Sequence, residues 1–111
     1  MMIAVTPSGL IELRDAENFR AFKIVDETGG GTARVASALS GLATPTADGT
    51  AAWVRPDRLT ELAGETATPA WRERLAQMIA GAAKYGWVNE TDGTVRAHIE
   101  TVSVSREGGG S

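Results

Sequence analysis

The chain has no cysteine, and that absence removes disulfides, thiolate nucleophiles and every zinc or iron–sulfur site built on sulfur ligands. It has a single histidine, His98, so a histidine-rich metal centre is also excluded and any imidazole chemistry must run through one residue. Carboxylate pairs such as Asp26–Glu27 and Glu90 with Asp92 lack the alternating oxygen ligands of a calcium loop, so no metal and no cofactor is expected. No apolar run approaches the roughly 20 residues needed to cross a bilayer, and the N-terminus has no basic region followed by an apolar segment. These readings place the protein in solution, in a reducing cytoplasm, with no membrane partner.

Positive charge is also scarce. Eleven Lys and Arg face fourteen Asp and Glu, for a net charge of −3, and the basic residues are scattered rather than gathered in a stripe. That pattern denies the chain a phosphate-tracking surface and speaks against nucleic acid. A long helix followed by a hairpin is the outline of a winged helix, but the mixed Arg72–Glu73–Arg74 surface would repel phosphate as much as attract it.

What is present suits one folded domain. At 111 residues, 42% hydrophobic and 23% charged, the chain can bury one core but not two. We assign residues 1–107 to that domain and the terminal Gly-Gly-Gly-Ser, 108–111, to a linker or tag remnant.

Periodicity and punctuation predict the elements. Pro7-Ser8-Gly9 separates two apolar stretches, giving a hairpin of strands near 2–6 and 10–14. Asp15 reads as the N-cap of a helix through "AENFRAFKIVDE", with Phe19 and Phe22 on its buried side, ended by the glycines at 29–31. A second helix follows, with Val35, Ala38, Leu39 and Leu42 at helical spacing and Thr32 able to cap it. "ATPTADGT" is turn chemistry leading to a strand at 51–55. Asp57 caps a short helix with Leu59 and Leu62 inward, closed by Gly64.

The strongest element is the helix over 69–85, with Thr68 as N-cap, Pro69 in the first turn, and Trp71, Leu75, Met78, Ile79 and Ala82 in an apolar stripe. Gly86 stops it, and "WVNETDGTVRAHIETVSV" then forms a closing hairpin or a corner into a strand. The order predicts an α+β fold: a small, largely antiparallel sheet covered by three to four helices.

Three residues at two-residue spacing, Arg96, His98 and Glu100, share one face of the last strand. There Glu100 could orient the His98 imidazole and Arg96 could hold an anionic group, which makes them the candidate catalytic set; the plainer reading is a wet strand face. The Gly29–Gly31 run lacks the spacing of a phosphate-binding loop and reads as a flexible connection. Tyr85, Trp87 and Trp53 lie at element ends, where aromatic rings line clefts and bind ligands.

Two function classes follow. The first is a small oligomeric domain that binds a small-molecule ligand or a protein partner. It would associate as a dimer or higher, through a last strand longer than the usual five to six residues if that strand lies at a sheet edge. The second is a cofactor-independent acid–base enzyme of isomerase, lyase or hydrolase type centred on His98.

Overall fold

A computed structural model describes residues 1–101; the terminal 108–111 segment and the expected end of the last strand at 102–104 lie outside the described residues. Seven strands form one mixed sheet that curls into a half-barrel. They are β1 (Met2–Val5), β2 (Ile11–Arg14), β3 (Lys23–Asp26), β4 (Ala43–Pro45), β5 (Ala51–Val54), β6 (Val88–Asn89) and β7 (Thr94–Thr101). The spatial order is β2-β1-β3-β7-β5-β4, with β6 attached to β7. Three helices, α1 (Thr32–Ala38), α2 (Pro56–Ala63) and α3 (Pro69–Ala83), complete the described chain together with a 3-10 turn at Gly64–Thr66.

The expected small sheet under a layer of three to four helices is therefore corrected: the sheet dominates, and its curl supplies much of the enclosure. Two local readings account for the difference. Residues 15–22 form turns rather than a helix, and Lys23–Asp26 is a strand. Asp15 does not cap a helix; it takes a left-handed conformation at φ 49° and its carbonyl accepts from the Asn18 N–H. Ile24 and Val25, both β-branched, fit the pleat between β1 and β7, where parallel neighbours on both edges satisfy the backbone. These two parallel pairings make the sheet mixed, and its other four pairings among the described residues are antiparallel. The stretch Ala43–Pro45, read as turn, pairs antiparallel with β5 as an outer strand, where the missing N–H of Pro45 is tolerated.

The other elements stand where the sequence places them. β1 and β2 pair across the Pro-Ser-Gly turn. α2 carries Leu59 inward and ends at Gly64, which sits at φ 56°. α3 starts as expected, with the Thr68 hydroxyl accepting from the Trp71 N–H and Pro69 in the first turn. α1 begins from Gly31 in the N-cap position, and Thr32 is its first helical residue. Hairpins β4–β5 and β6–β7 are both closed by Asp-Gly-Thr. In each, the Asp carboxylate accepts from the N–H and the hydroxyl of the following Thr, at 3.1 and 2.9 Å in Asp48–Thr50 and 3.1 and 2.7 Å in Asp92–Thr94. The intervening glycines take φ of 72° and 73°, which favours glycine over any residue with a Cβ.

Ile3, Val5, Ile24, Ala52, Val54 and Ala97 project into the hollow of the sheet and meet Val35, Leu39, Leu59, Trp71 and Leu75 from the helices. The Trp71 indole N–H donates to the Ala16 carbonyl at 2.8 Å, which ties the 15–22 segment to α3. The Met1 amino group donates to the Asn18 carbonyl and holds the same segment from its other side.

β7 lies inside the sheet, not at its edge, so the row of unpaired backbone groups expected to drive association is absent from it; the outer strands are β2 and β4. One edge of β7 is lined by β5, from Val95 to His98. The opposite edge changes partner, from β6 at Thr94–Val95 to β3 from His98 onward. Between those two partners the Arg96 N–H donates to the Trp87 carbonyl at 2.8 Å, and a gap opens in the sheet.

Candidate functional site

A cleft of about 380 Å³ occupies that gap, within the range of small-ligand sites. Phe19 and Phe22 come from the 15–22 segment, Met78 and Ala82 from the last turns of α3, Trp87 from the corner before β6, and Val95 from β7. Arg20, Arg96 and His98 contribute the polar side chains of the wall, and Thr50 and Ala51 complete it from the start of β5. The positions follow from the fold: α3 is fixed by Trp71 and Leu75 in the core, and its continuing stripe brings Met78 and Ala82 to the opening. Phe19 is gripped from two sides, with Trp71 at 5.6 Å between ring centroids and the Arg74 guanidinium 4.9 Å above its ring.

Three of the six residues singled out from sequence line this cleft: Arg96, His98 and Trp87. Tyr85 does not; it is 71% exposed and stacks on Trp87, centroids 4.9 Å apart, so it supports Trp87 from beside the cleft. Trp53 lies opposite Arg96 in the β5–β7 register but is not a lining residue. Glu100 is also outside the lining and is engaged elsewhere, accepting from Lys23 Nζ at 2.9 Å.

The alternation of β7 is as expected, with Val95 and Ala97 buried and Arg96 and His98 exposed. The acid–base arrangement within the row is loose. His98 Nε2 is 3.9 Å from Glu100 Oε2, beyond hydrogen-bond distance, and the imidazole side chain is 65% exposed. The Lys23 ammonium, by its hydrogen bond and charge, holds the Glu100 carboxyl below the ordinary glutamate value, with His98 a minor contributor. Glu100 is thus the partner of Lys23 before it is the partner of His98.

Sequence reasoning missed Phe19, Phe22, Arg20, Met78 and Ala82 as site residues. The apolar stripe of α3 continues past the buried Trp71 and Leu75 to the half-buried Met78 and then Ala82, and that continuation was the available signal for both. Phe19 and Phe22 were assigned to the buried side of a helix that does not form.

The glycine run at 29–31 carries no anion cradle. It follows Asp26, whose buried carboxyl group accepts from the Thr28 N–H at 2.8 Å and hydroxyl at 2.6 Å, and the Thr28 hydroxyl in turn accepts from the Gly30 N–H at 3.1 Å, so one glycine N–H is already used within the loop. Among the described residues no group of three or more His, Asp or Glu could hold a metal ion, and no helix is long and apolar enough to cross a membrane. Comparison of the chain with protein-family models, with curated proteins and with solved structures gives no match.

Proposed function

We propose that this protein is a small-ligand-binding domain whose ligand occupies the cleft between α3, the 15–22 segment and β7. The observation that carries the reading is the wall itself: two phenylalanines, a tryptophan, a methionine, two alanines and a valine converge on about 380 Å³ at a break in the sheet, beside the core against which Phe19, Phe22 and Met78 pack. A surface that only needed to be wet would not gather those side chains around an opening. Self-association loses its main support with β7 inside the sheet, so the reading is one ligand per chain.

An acid–base enzyme centred on His98 is the second reading, favoured by one observation: the imidazole borders the same cleft. It is weaker because Glu100 is drawn to Lys23 and no carboxylate of the described residues lines the cleft.

A neutral apolar fluorophore, N-phenyl-1-naphthylamine, tests the first reading. Saturable binding at one per chain is expected, lost in Ala82→Trp, which fills the cleft, and weakened in Trp87→Ala, which removes an exposed wall residue. Circular dichroism and the denaturation midpoint report that both variants remain folded. Unsaturable binding by the parent protein, or parental affinity in a folded Ala82→Trp, would overturn the cleft as the site.

A further inference from the structure

We infer that the cleft selects an anionic ligand: a small organic acid with an aromatic or aliphatic body and one carboxylate, sulfonate or phosphate group, which Arg20 and Arg96 hold. This rests on the cleft being the binding site and adds the chemical class of its occupant.

The basis is where the arginines of the chain direct their charge. Nine arginines minus Arg106, which is outside the described residues, leaves eight. Six of them are engaged within the chain. Arg14 pairs with Glu12 and Glu27, Arg55 with Asp57, and Arg58 with Glu61. Arg34 donates to the Pro7 carbonyl, Arg72 to the Ala67 carbonyl, and Arg74 lies over the Phe19 ring. The guanidiniums of Arg20 and Arg96 make no hydrogen bond or ion pair with the described residues, and both line the cleft.

In a chain of net charge −3 with carboxylates in excess, two guanidiniums without partners among the described residues at one apolar opening are a local reversal of sign. Asp48 exerts only a weak coulombic pull toward Arg96, and Glu100, the nearest carboxylate along β7, is neutralised by Lys23. His98 adds a ring nitrogen to the same wall. A guanidinium presents a planar fork of N–H donors that fits a carboxylate or a phosphate edge, while the Phe19, Phe22 and Trp87 rings take the apolar body. Both arginines are exposed, so the pair discriminates between ligands rather than supplying most of the binding energy.

A matched pair of fluorophores tests this, since 1-anilinonaphthalene-8-sulfonate is N-phenyl-1-naphthylamine bearing a sulfonate. The sulfonate form should bind roughly tenfold tighter than the neutral form, the order expected of exposed charge-assisted hydrogen bonds. Arg96→Gln and Arg20→Gln should each cut that preference by roughly threefold and together abolish it, leaving the neutral form's affinity unchanged. Arg58→Gln, the same charge change outside the cleft, should leave the preference intact. If the neutral dye binds saturably but the sulfonate binds no tighter, or if Arg58→Gln erodes the preference as much as Arg96→Gln, the anionic class is wrong and the cleft stands. If neither dye binds saturably, the cleft reading falls and this inference with it.

Discussion

The exposed face of the sheet carries two stretches of charge that behave differently. From β2 to β3 the charges close on one another: Arg14 reaches Glu12 and Glu27, at 2.7 Å to the latter, and Lys23 reaches Glu100 on β7 at 2.9 Å. Further back along β7 the pattern stops: Arg96, four residues before Glu100, and Arg20, which lines the same cleft, have no partner among the described residues. His98 stands at the boundary, 3.9 Å from Glu100 on one side and lining the cleft on the other. The residue types are the same in both stretches. What differs is what the sheet places alongside: where β3 runs beside β7, cross-strand neighbours face each other at pairing distance, whereas at Arg96 that edge lies between β6 and β3 and β5 on the other edge sets Trp53, not a carboxylate, opposite it. The first stretch is part of the fold, and the second is available to a ligand.

Neither stretch is where most of the stability resides, and one substitution in the core sets the scale. Leu75→Ala, which empties a buried position beside Trp71, should destabilise the protein by roughly 2–5 kcal/mol in a denaturant titration, through lost burial plus the cavity left behind. Arg74→Ala, one position earlier on the outer surface of the helix, loses the cation over the Phe19 ring and should cost only about 0.5–1 kcal/mol. Equal losses would mean that α3 is rotated from the orientation described.

Reciprocal substitution of two arginines then separates the stretches. Arg14→Gln should lower the denaturation midpoint, by less than Leu75→Ala, because it leaves Glu27 without its bidentate partner; binding of the sulfonate dye should be unaffected. Arg96→Gln should leave the midpoint in place and weaken the dye. A midpoint shift in both, with no binding difference, would erase the distinction between a structural and a binding set of charges.

How much of this was legible beforehand follows the range of the interactions. The hairpin at 2–14, the strand at 51–55, α2 and α3 are specified by neighbours a few residues apart, and each was read from turn residues, capping groups and periodicity, although α2 starts at Pro56 from Arg55, with Asp57 in its first turn rather than capping it. So was the alternation of Arg96, His98 and Glu100. β3 was not: Phe19 and Phe22 happen to fall at helical spacing, and what makes Lys23–Asp26 a strand is its register with residues 98–101, which no local window contains. β4 hid for a different reason, being three residues long with a proline, indistinguishable from the turn that follows it. The cleft inherited both misses. Its one aromatic found in advance, Trp87, sits at an element end, whereas Phe19 and Phe22 reach it through a loop whose path is set by Trp71 and the N-terminus.

The boundary itself can be moved. Glu100→Gln removes the carboxylate that neutralises Lys23 and lies nearest His98, so the unpaired positive region should extend from Arg96 toward β3. The sulfonate dye should then bind tighter, by roughly two- to threefold given the exposure of these groups, while the neutral dye is unchanged. The gain should fade in 0.5 M sodium chloride. Parental affinity for the sulfonate at low salt would place the anionic group out of reach of this part of β7 and confine it to Arg20 and Arg96.

Acid should produce the smallest effect and the most selective one. The Arg14 hydrogen bond holds the Glu27 carboxyl below the ordinary glutamate value, and the Lys23 hydrogen bond does the same for Glu100. A carboxyl whose folded-state value is depressed contributes stability that is fully present above its unfolded value, about 4.3, and is lost as pH falls through the depressed one. The urea midpoint should therefore fall as pH is lowered from about 5.5 toward 3, and Arg14→Gln should flatten that fall by removing the cause of the Glu27 shift. Arg96→Gln should run nearly parallel to the parent protein from about pH 5.5 to 3, because arginine keeps its charge throughout this range and Arg96 makes no ion pair among the described residues, only a weak coulombic contact with Asp48. Asp48, held at about 2 chiefly by the Thr46 and Thr50 hydrogen bonds, adds a component at the acid end. Arg96 is the smallest of the causes that hold it there, so Arg96→Gln should trim that component only slightly and only at the acid end, below the window in which Glu27 titrates. Equal flattening by the two substitutions would show that Arg96 is paired in solution after all, and that the two stretches of charge are one.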